Sequence, residues 1–263
     1  MNIMAIVMAA AVIAVVGIVV GIGLGLFGEK FKVEVDEKEL AIREELPGNN
    51  CGGCGYAGCD ALAKAIAAGQ ADVGACPVGG ASTAEKIGAI MGVAGGAAEK
   101  KVAFVKCKGS CDKTAVQYNY YGVDDCKKVS VVPGAGEKAC AYGCMGYGSC
   151  VRACAFDAIH VVDGVAVVDK EKCVACGKCV ASCPNHLIEL VPYKAEHLVQ
   201  CSSHDKGKDV KAVCAAGCIG CTLCTKQCEF DAIHMENNLA VIDYEKCTNC
   251  GKCAEKCPVK VIV

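Results

Sequence analysis

Residues 247–258 read CTNCGKCAEKCP, and the reading of this stretch decides the fold. Cys247, Cys250, Cys253 and Cys257 fall in the spacing C-x2-C-x2-C-x3-C, and Pro258 follows. Three cysteines so spaced wrap one tight loop. The fourth lies one helical turn further on and points away from that loop. The spacing recurs at Cys173, Cys176, Cys179 and Cys183, followed by Pro184, and again at Cys218, Cys221, Cys224 and Cys228.

Working outward, these runs belong to an internal repeat. Cys140, Cys144, Cys150, Cys154, Cys173, Cys176, Cys179 and Cys183 recur 74 positions later as Cys214, Cys218, Cys224, Cys228, Cys247, Cys250, Cys253 and Cys257. Phe156 to His160, FDAIH, returns unchanged as Phe230 to His234. Chance does not place eight cysteines at one offset. Each copy reads as a Cys loop, a helix, a short strand, a turn (Asp163-Gly164 or Asn237-Asn238), a second strand and a second Cys loop. The expected modules span 140–193 and 194–263.

The cysteines are metal ligands rather than a disulfide framework. The chain has 25 cysteines in 263 residues; the odd number and the tight spacings both disfavour disulfides. Zinc usually takes two separated C-x2-C pairs. The run here is instead that of bacterial two-cluster [4Fe–4S] proteins, whose fourth cysteine ligates the other cluster. That crossing rule predicts four sets. They are Cys218, Cys221, Cys224 with Cys257; Cys247, Cys250, Cys253 with Cys228; Cys173, Cys176, Cys179 with Cys154; and Cys144, Cys150, Cys183 with one further ligand. The last set is short because Tyr147 stands where the copy has Cys221. Cys140 is the nearest candidate.

A fifth set lies upstream, in C51-x2-C54-x4-C59-x16-C76-P. A Gly-rich loop carries Cys51 and Cys54, Cys59 opens an Ala-rich helix, and Cys76 returns after it. This small helical module is expected over 49–95, with a helix near Glu85–Gly95 and a Cys-containing connector over 96–139. Cys107, Cys111, Cys126, Cys201 and Cys214 remain. Four of them could hold a sixth cluster; the alternative is buried structural thiols. Cys126 and Cys201 occupy similar places, 14 and 13 residues before Cys140 and Cys214. His160 and His234 are read as structural or as tuning a nearby cluster, not as ligands.

Residues Ile3 to Gly28 carry no charge. As a helix the run reaches roughly 39 Å at ~1.5 Å per residue, enough to cross a ~30 Å hydrocarbon core with tilt. It is too long, and lacks the preceding Lys or Arg, for a cleaved signal peptide. Lys30 and Lys32 flank it on the C-terminal side, so the positive-inside rule places the rest in the cytoplasm. Residues 29–48 form a charged link. Net charge is −2, which offers no field for nucleic acid. No P-loop, dinucleotide fingerprint or nucleophile triad is present. The fold class expected is α+β: one N-terminal transmembrane helix over 1–28, a small helical Fe–S module, then tandem two-[4Fe–4S] ferredoxin-like modules. At least five clusters follow, with the sixth as above.

The combination of an N-terminal span, CGGCGYAGC (Cys51–Cys59) with a distant Cys76-Pro77, and tandem ferredoxin motifs resembles the B subunit of the Rnf complex. That family is the ion-translocating ferredoxin:NAD oxidoreductase of bacteria. CKGSCDK (107–113), YYGVDDC (120–126), YGCMGYGSC (142–150) and CIGCTLCTKQCEFDAIHMENNLA (218–240) are similar to its longer, multi-cluster form. The chain departs from the pattern at Ala155 and Glu229, where proline usually follows the fourth cysteine, and at Tyr147. The resemblance implies an electron carrier without catalytic residues of its own. Reduced soluble ferredoxin would be the donor, and a membrane core holding flavin and Fe–S the acceptor. Another subunit would reduce NAD while Na+ or H+ is moved. Two other readings stand beside it: a membrane-anchored polyferredoxin of another reductase or hydrogenase, and a zinc-stabilised scaffold.

Overall fold

A computed structural model describes residues 3–30, 36–96 and 99–263. Four helices come first: α1 (Ile3–Lys30), α2 (Glu37–Glu45), α3 (Cys59–Ala67) and α4 (Gly80–Met91). β1 (Lys101–Val105), α5 (Cys126–Val129), α6 (Ser149–Ala153), β2 (Ile159–Val162), β3 (Val165–Val168), α7 (Lys178–Ser182) and β4 (Ile188–Pro192) follow. α8 (Gly207–Val213), α9 (Leu223–Gln227), β5 (Ile233–Glu236), β6 (Leu239–Ile242) and α10 (Lys252–Glu255) complete the chain.

α1 is a helix of 28 residues, and Met4, Ile13, Leu24 and Phe27 on it are exposed. Several of its side chains lie outside the described residues, as does Lys32. Among the described residues, no helix is long and apolar enough to cross a membrane.

The helical module packs α2, α3 and α4 around one core. α2 starts at Asp36, whose carboxylate accepts from the Lys38 N–H at 2.9 Å and caps the first turn. On α3, Cys59, Leu62, Ala63 and Ile66 fall at helical spacing and are all buried. Ile42 and Ile87, on the neighbouring helices, close the core with no exposed surface. Burying each such side chain contributes about 1.5–3 kcal/mol. A core of this size is small for an independent module, which leaves ligation of its cysteines to supply the rest. α4 starts at Gly80 rather than Glu85, because Thr83 and Ala84 already lie on the buried face.

Each repeat holds a β-hairpin. β2 pairs antiparallel with β3, Ile159 facing Val168, and β5 with β6, Ile233 facing Ile242. The two-residue turns have positive φ throughout: 48° and 76° at Asp163-Gly164, 45° and 67° at Asn237-Asn238. That geometry matches the right-handed twist of the strands.

A second pairing was not legible from the 74-residue offset. β1 pairs antiparallel with β4, Val105 facing Ile188, so part of the expected connector is a strand of module 1. Module 2 repeats this with an isolated bridge between Val199 and Ile262. The Lys106 N–H donates to the Leu187 carbonyl at 2.8 Å, and the Gln200 N–H to the Val261 carbonyl at 2.9 Å. Leu187 and Val261 are repeat partners, so Lys106 and Gln200 are too. Cys107 therefore corresponds to Cys201. Between Cys107 and Cys140 lie twenty more residues than between Cys201 and Cys214, and this insertion carries α5.

Candidate metal centres

All 25 cysteines are free thiols. Three of the sets expected from the crossing rule each surround one hollow. Cys154, Cys173, Cys176 and Cys179 line one of about 360 Å³. Cys228, Cys247, Cys250 and Cys253 line another of about 360 Å³. Cys218, Cys221, Cys224 and Cys257 line one of about 310 Å³. α6 and α7 make the crossing in module 1, since Cys150 and Cys179 sit within them while Cys154 and Cys183 close them. α9 does the same for Cys224 and Cys228. After the second cysteine of each loop the backbone turns left-handed, at Gly177, Gly251 and, against the usual preference, Thr222.

The fourth set differs from expectation. Cys144, Cys150 and Cys183 share a hollow of about 400 Å³ with Cys126, not with Cys140. The insertion explains this. Tyr147 has lost the cysteine of the copy, and its ring packs edge-on against Tyr120, centroids 5.3 Å apart. Tyr120, Tyr147, Met145 and Val129 bury Cys126 at the start of α5. Asp125 caps α5 by accepting from the Lys127 N–H at 2.8 Å, and it pairs with Arg152 of α6 at 2.9 Å. The Arg152 guanidinium holds the Asp125 carboxyl below the usual carboxylate range. The Cys126 N–H donates to Ser149 Oγ at 2.8 Å. A loop thus delivers a cysteine in place of the one that Tyr147 replaces.

Cys140 stands elsewhere. It lines a hollow of about 440 Å³ with Cys107, Cys201 and Cys214. Cys107 and Cys140 come from module 1, and their repeat counterparts Cys201 and Cys214 from module 2. Of the five leftover cysteines, three are in this set. Cys126 is in the previous one, and Cys111 is exposed and in neither. Cys126 and Cys201 are accordingly not equivalent, despite their similar distance to the next cysteine.

In the helical module, Cys54, Cys59 and Cys76 meet around the core, with Cys51 three residues before Cys54 on the same loop. His160 and His234 are on the outer faces of β2 and β5, beside Asp157 and Glu236 and away from the hollows.

Thiols crowded in this way resist ionisation. Burial, then the neighbouring cysteines, pushes Cys150 up to about 12, and burial pushes Cys140, Cys179 and Cys224 up to about 11. A bound cation would deprotonate them outright. Backbone N–H groups already point at the sulfurs. Ala103 donates to Cys173, Ala232 to Cys228 and Cys218 to Cys201, each at 3.3 Å, and Val261 to Cys257 at 3.4 Å. Such donors stabilise added negative charge on a thiolate-bound centre. Among the described residues, no three such side chains converge tightly enough for a single metal ion. In each of five sets four cysteines instead line one hollow, which suits a polynuclear group.

Comparison with known proteins agrees with this geometry. The family described as "Putative Fe-S cluster" matches residues 46–78. A 4Fe-4S binding domain matches 166–189, and a 4Fe-4S dicluster domain matches 217–261. The B subunit of the Na(+)-translocating ferredoxin:NAD(+) oxidoreductase complex of Acetobacterium woodii is 48% identical, over 98% of this chain and 78% of that protein. The B subunit of the ion-translocating oxidoreductase complex of Methanosarcina acetivorans is 45% identical, over 96% of each. The B subunit of the proton-translocating ferredoxin:NAD(+) oxidoreductase complex of Clostridium ljungdahlii is 37% identical, over 98% of this chain and 92% of that protein.

Proposed function

The chain belongs to the family of B subunits of ion-translocating ferredoxin:NAD oxidoreductase (Rnf) complexes, and on that premise we propose that it carries electrons from reduced ferredoxin through six [4Fe–4S] sites to its membrane partners. When bound, such clusters supply one-electron transfer at a potential set by their surroundings. The cysteine sets proposed to hold them are six: Cys51, Cys54, Cys59 and Cys76 in the helical module, two sets in each ferredoxin-like module, and the set shared between them. Cys111 is left free.

The observation that carries the reading is that neighbouring sets touch. A side chain at Gly53, in the Cys51–Cys54 loop, would meet the backbone of Cys176 at 3.0 Å. α6 and α7 join the Cys173 and Cys144 sets. The Cys144 N–H donates to Cys107 Sγ, and the Cys218 N–H to Cys201 Sγ, each at 3.3 Å. α9 joins the Cys218 and Cys247 sets. Tunnelling falls steeply with distance, so contacts of this kind make one continuous route. Tyr244 also packs against both the C-terminal core and the layer that touches Cys173.

Exposure supports the proposed direction. Cys221 and Cys250 are exposed, whereas Cys173, Cys176 and Cys179 are half-buried. A soluble donor therefore docks on module 2, and electrons leave through the helical module. The uncharged sequence run from Ile3 to Gly28 supports a single membrane span over residues 1–28, with the clusters on the cytoplasmic side. The partners are the flavin- and Fe–S-bearing core and the NAD-reducing subunit. The relatives' names include both sodium and proton pumps; the coupling ion depends on the other subunits.

A zinc scaffold would be colourless and hold about one ion per set. The test is iron and acid-labile sulfide in anaerobically purified protein. About 24 irons per chain is expected from six four-iron sites. About 20 or fewer, unchanged by reconstitution, would overturn the six-site proposal.

A further inference from the structure

Lys138 is the charged residue among the buried polar side chains of the described residues, only 7% exposed. Burying an ammonium group is costly unless it is paired and hydrogen-bonded. Its Nζ donates to the Gly164 carbonyl at 2.6 Å and to the Gly109 carbonyl at 2.9 Å. Those carbonyls fix its place but carry no net charge. Among the described residues it has no carboxylate partner, unlike Lys106, which pairs with Glu189 at 2.9 Å.

What compensates the charge is visible in its surroundings. Lys138 lines the hollow of Cys107, Cys140, Cys201 and Cys214. The adjoining set abuts this hollow, since the Cys144 N–H donates to Cys107 Sγ at 3.3 Å. The cation is therefore held where two sets of four cysteine sulfurs meet, thiolates once a cluster is bound. In the repeat, 74 positions on, Ala212 stands in its place. The first copy alone provides this charge.

We propose, resting on the cluster reading above, that the buried ammonium of Lys138 raises the reduction potential of the inter-module site and of its Cys126/Cys144/Cys150/Cys183 neighbour. An arriving electron adds one negative charge to a site and breaks no bond. A fixed positive charge in a poorly screened interior stabilises that reduced form. Lys138 thus makes the middle of the route a resting place for the electron that a soluble one-electron donor releases as it is oxidised.

The test is an EPR-monitored redox titration of the full-length, cluster-loaded protein, with iron counted on the same samples. Lys138→Met keeps the length of the side chain and removes the charge; Lys138→Arg keeps the charge. The Met variant is expected to retain its iron and to lower one or two midpoint potentials by about 59 mV or more, a tenfold change for a one-electron couple. The Arg variant should leave them near the parent values. Unchanged potentials in a fully loaded Met variant would overturn the proposal. If the Met variant loses iron, Lys138→Gln, which can still donate to a carbonyl, is titrated instead. Loss of iron there too would make Lys138 a structural strut and equally overturn it. Four irons fewer in the parent protein itself would count against the cluster reading, not against the lysine.

Discussion

The backbone N–H of Cys218 donates to Sγ of Cys201 at 3.3 Å. The repeat partner of Cys218 does the same in the other module, where the Cys144 N–H reaches Cys107 Sγ at 3.3 Å. The inter-module set is thus built symmetrically, two cysteines and one N–H donor from each copy. On the proposed reading, duplication of a two-site module would create a further site at the joint.

Single replacements should separate the two overlapping sets. Cys126→Ser is expected to remove the site of Cys144, Cys150 and Cys183, and Cys140→Ser the inter-module site. Each should cost about four irons per chain, whereas Cys111→Ser should cost none. Iron analysis with EPR of the reduced protein checks this. Loss of the same signal in the Cys126 and Cys140 variants would refute the separation.

The loop that supplies Cys126 hangs on Asp125, which caps α5 and pairs with Arg152. Asp125→Ala is expected to make the Cys126 site the first to lose iron to a chelator. The acid dependence has a definite sign. The folded carboxyl is held below its usual range, so its contribution is present above the ordinary carboxylate pKa near ~3.9. That contribution is lost only as pH falls through the lower, folded value. Chelation rates measured from pH 7 down to about 4 should therefore show no loosening from this group.

Gly53 lets the helical module lie against the Cys176 loop, where a Cβ would sit 3.0 Å from the Cys176 Cα and carbonyl oxygen. Backbone cannot yield as a flexible side chain can. Gly53→Leu should force the two loops apart and slow ferredoxin-to-NAD turnover of the assembled complex several-fold, with iron content unchanged. Full turnover in a normally assembled variant would place the exit of electrons elsewhere.

Leu62 has no exposed surface and sits at the centre of the helical module. Leu62→Ala is expected to destabilise that module by about 2–5 kcal/mol. Thermal unfolding followed by cluster bleaching should show the Cys51–Cys76 site lost at lower temperature, while the ferredoxin-like modules melt as before.

Deleting residues 1–28 should release the chain from membranes with its clusters intact. A reporter fused after Val263 should work only if it is a cytoplasmic one. Activity of a periplasm-only reporter there would reverse the proposed orientation.

Much was determined by the sequence alone. Ligand spacing is local: Cys247, Cys250, Cys253 and Cys257 lie within eleven residues, and a loop plus one helical turn fixes which cysteine crosses to the neighbour. The hairpin turns at Asp163-Gly164 and Asn237-Asn238 are just as local, because two residues at positive φ suffice to reverse the chain. The long-range pairings were decided only by the tertiary structure. Cys107 and Cys201 are equivalent because Lys106 and Gln200 bond to equivalent carbonyls on Leu187 and Val261, a relation that the twenty-residue insertion hides from any fixed offset. That insertion also sets Cys126, rather than Cys140, beside Cys144, Cys150 and Cys183. A loop can present a thiol from any sequence distance. Where it lands depends on what anchors it, here the packing of Tyr120 on Tyr147 and the pairing of Asp125 with Arg152.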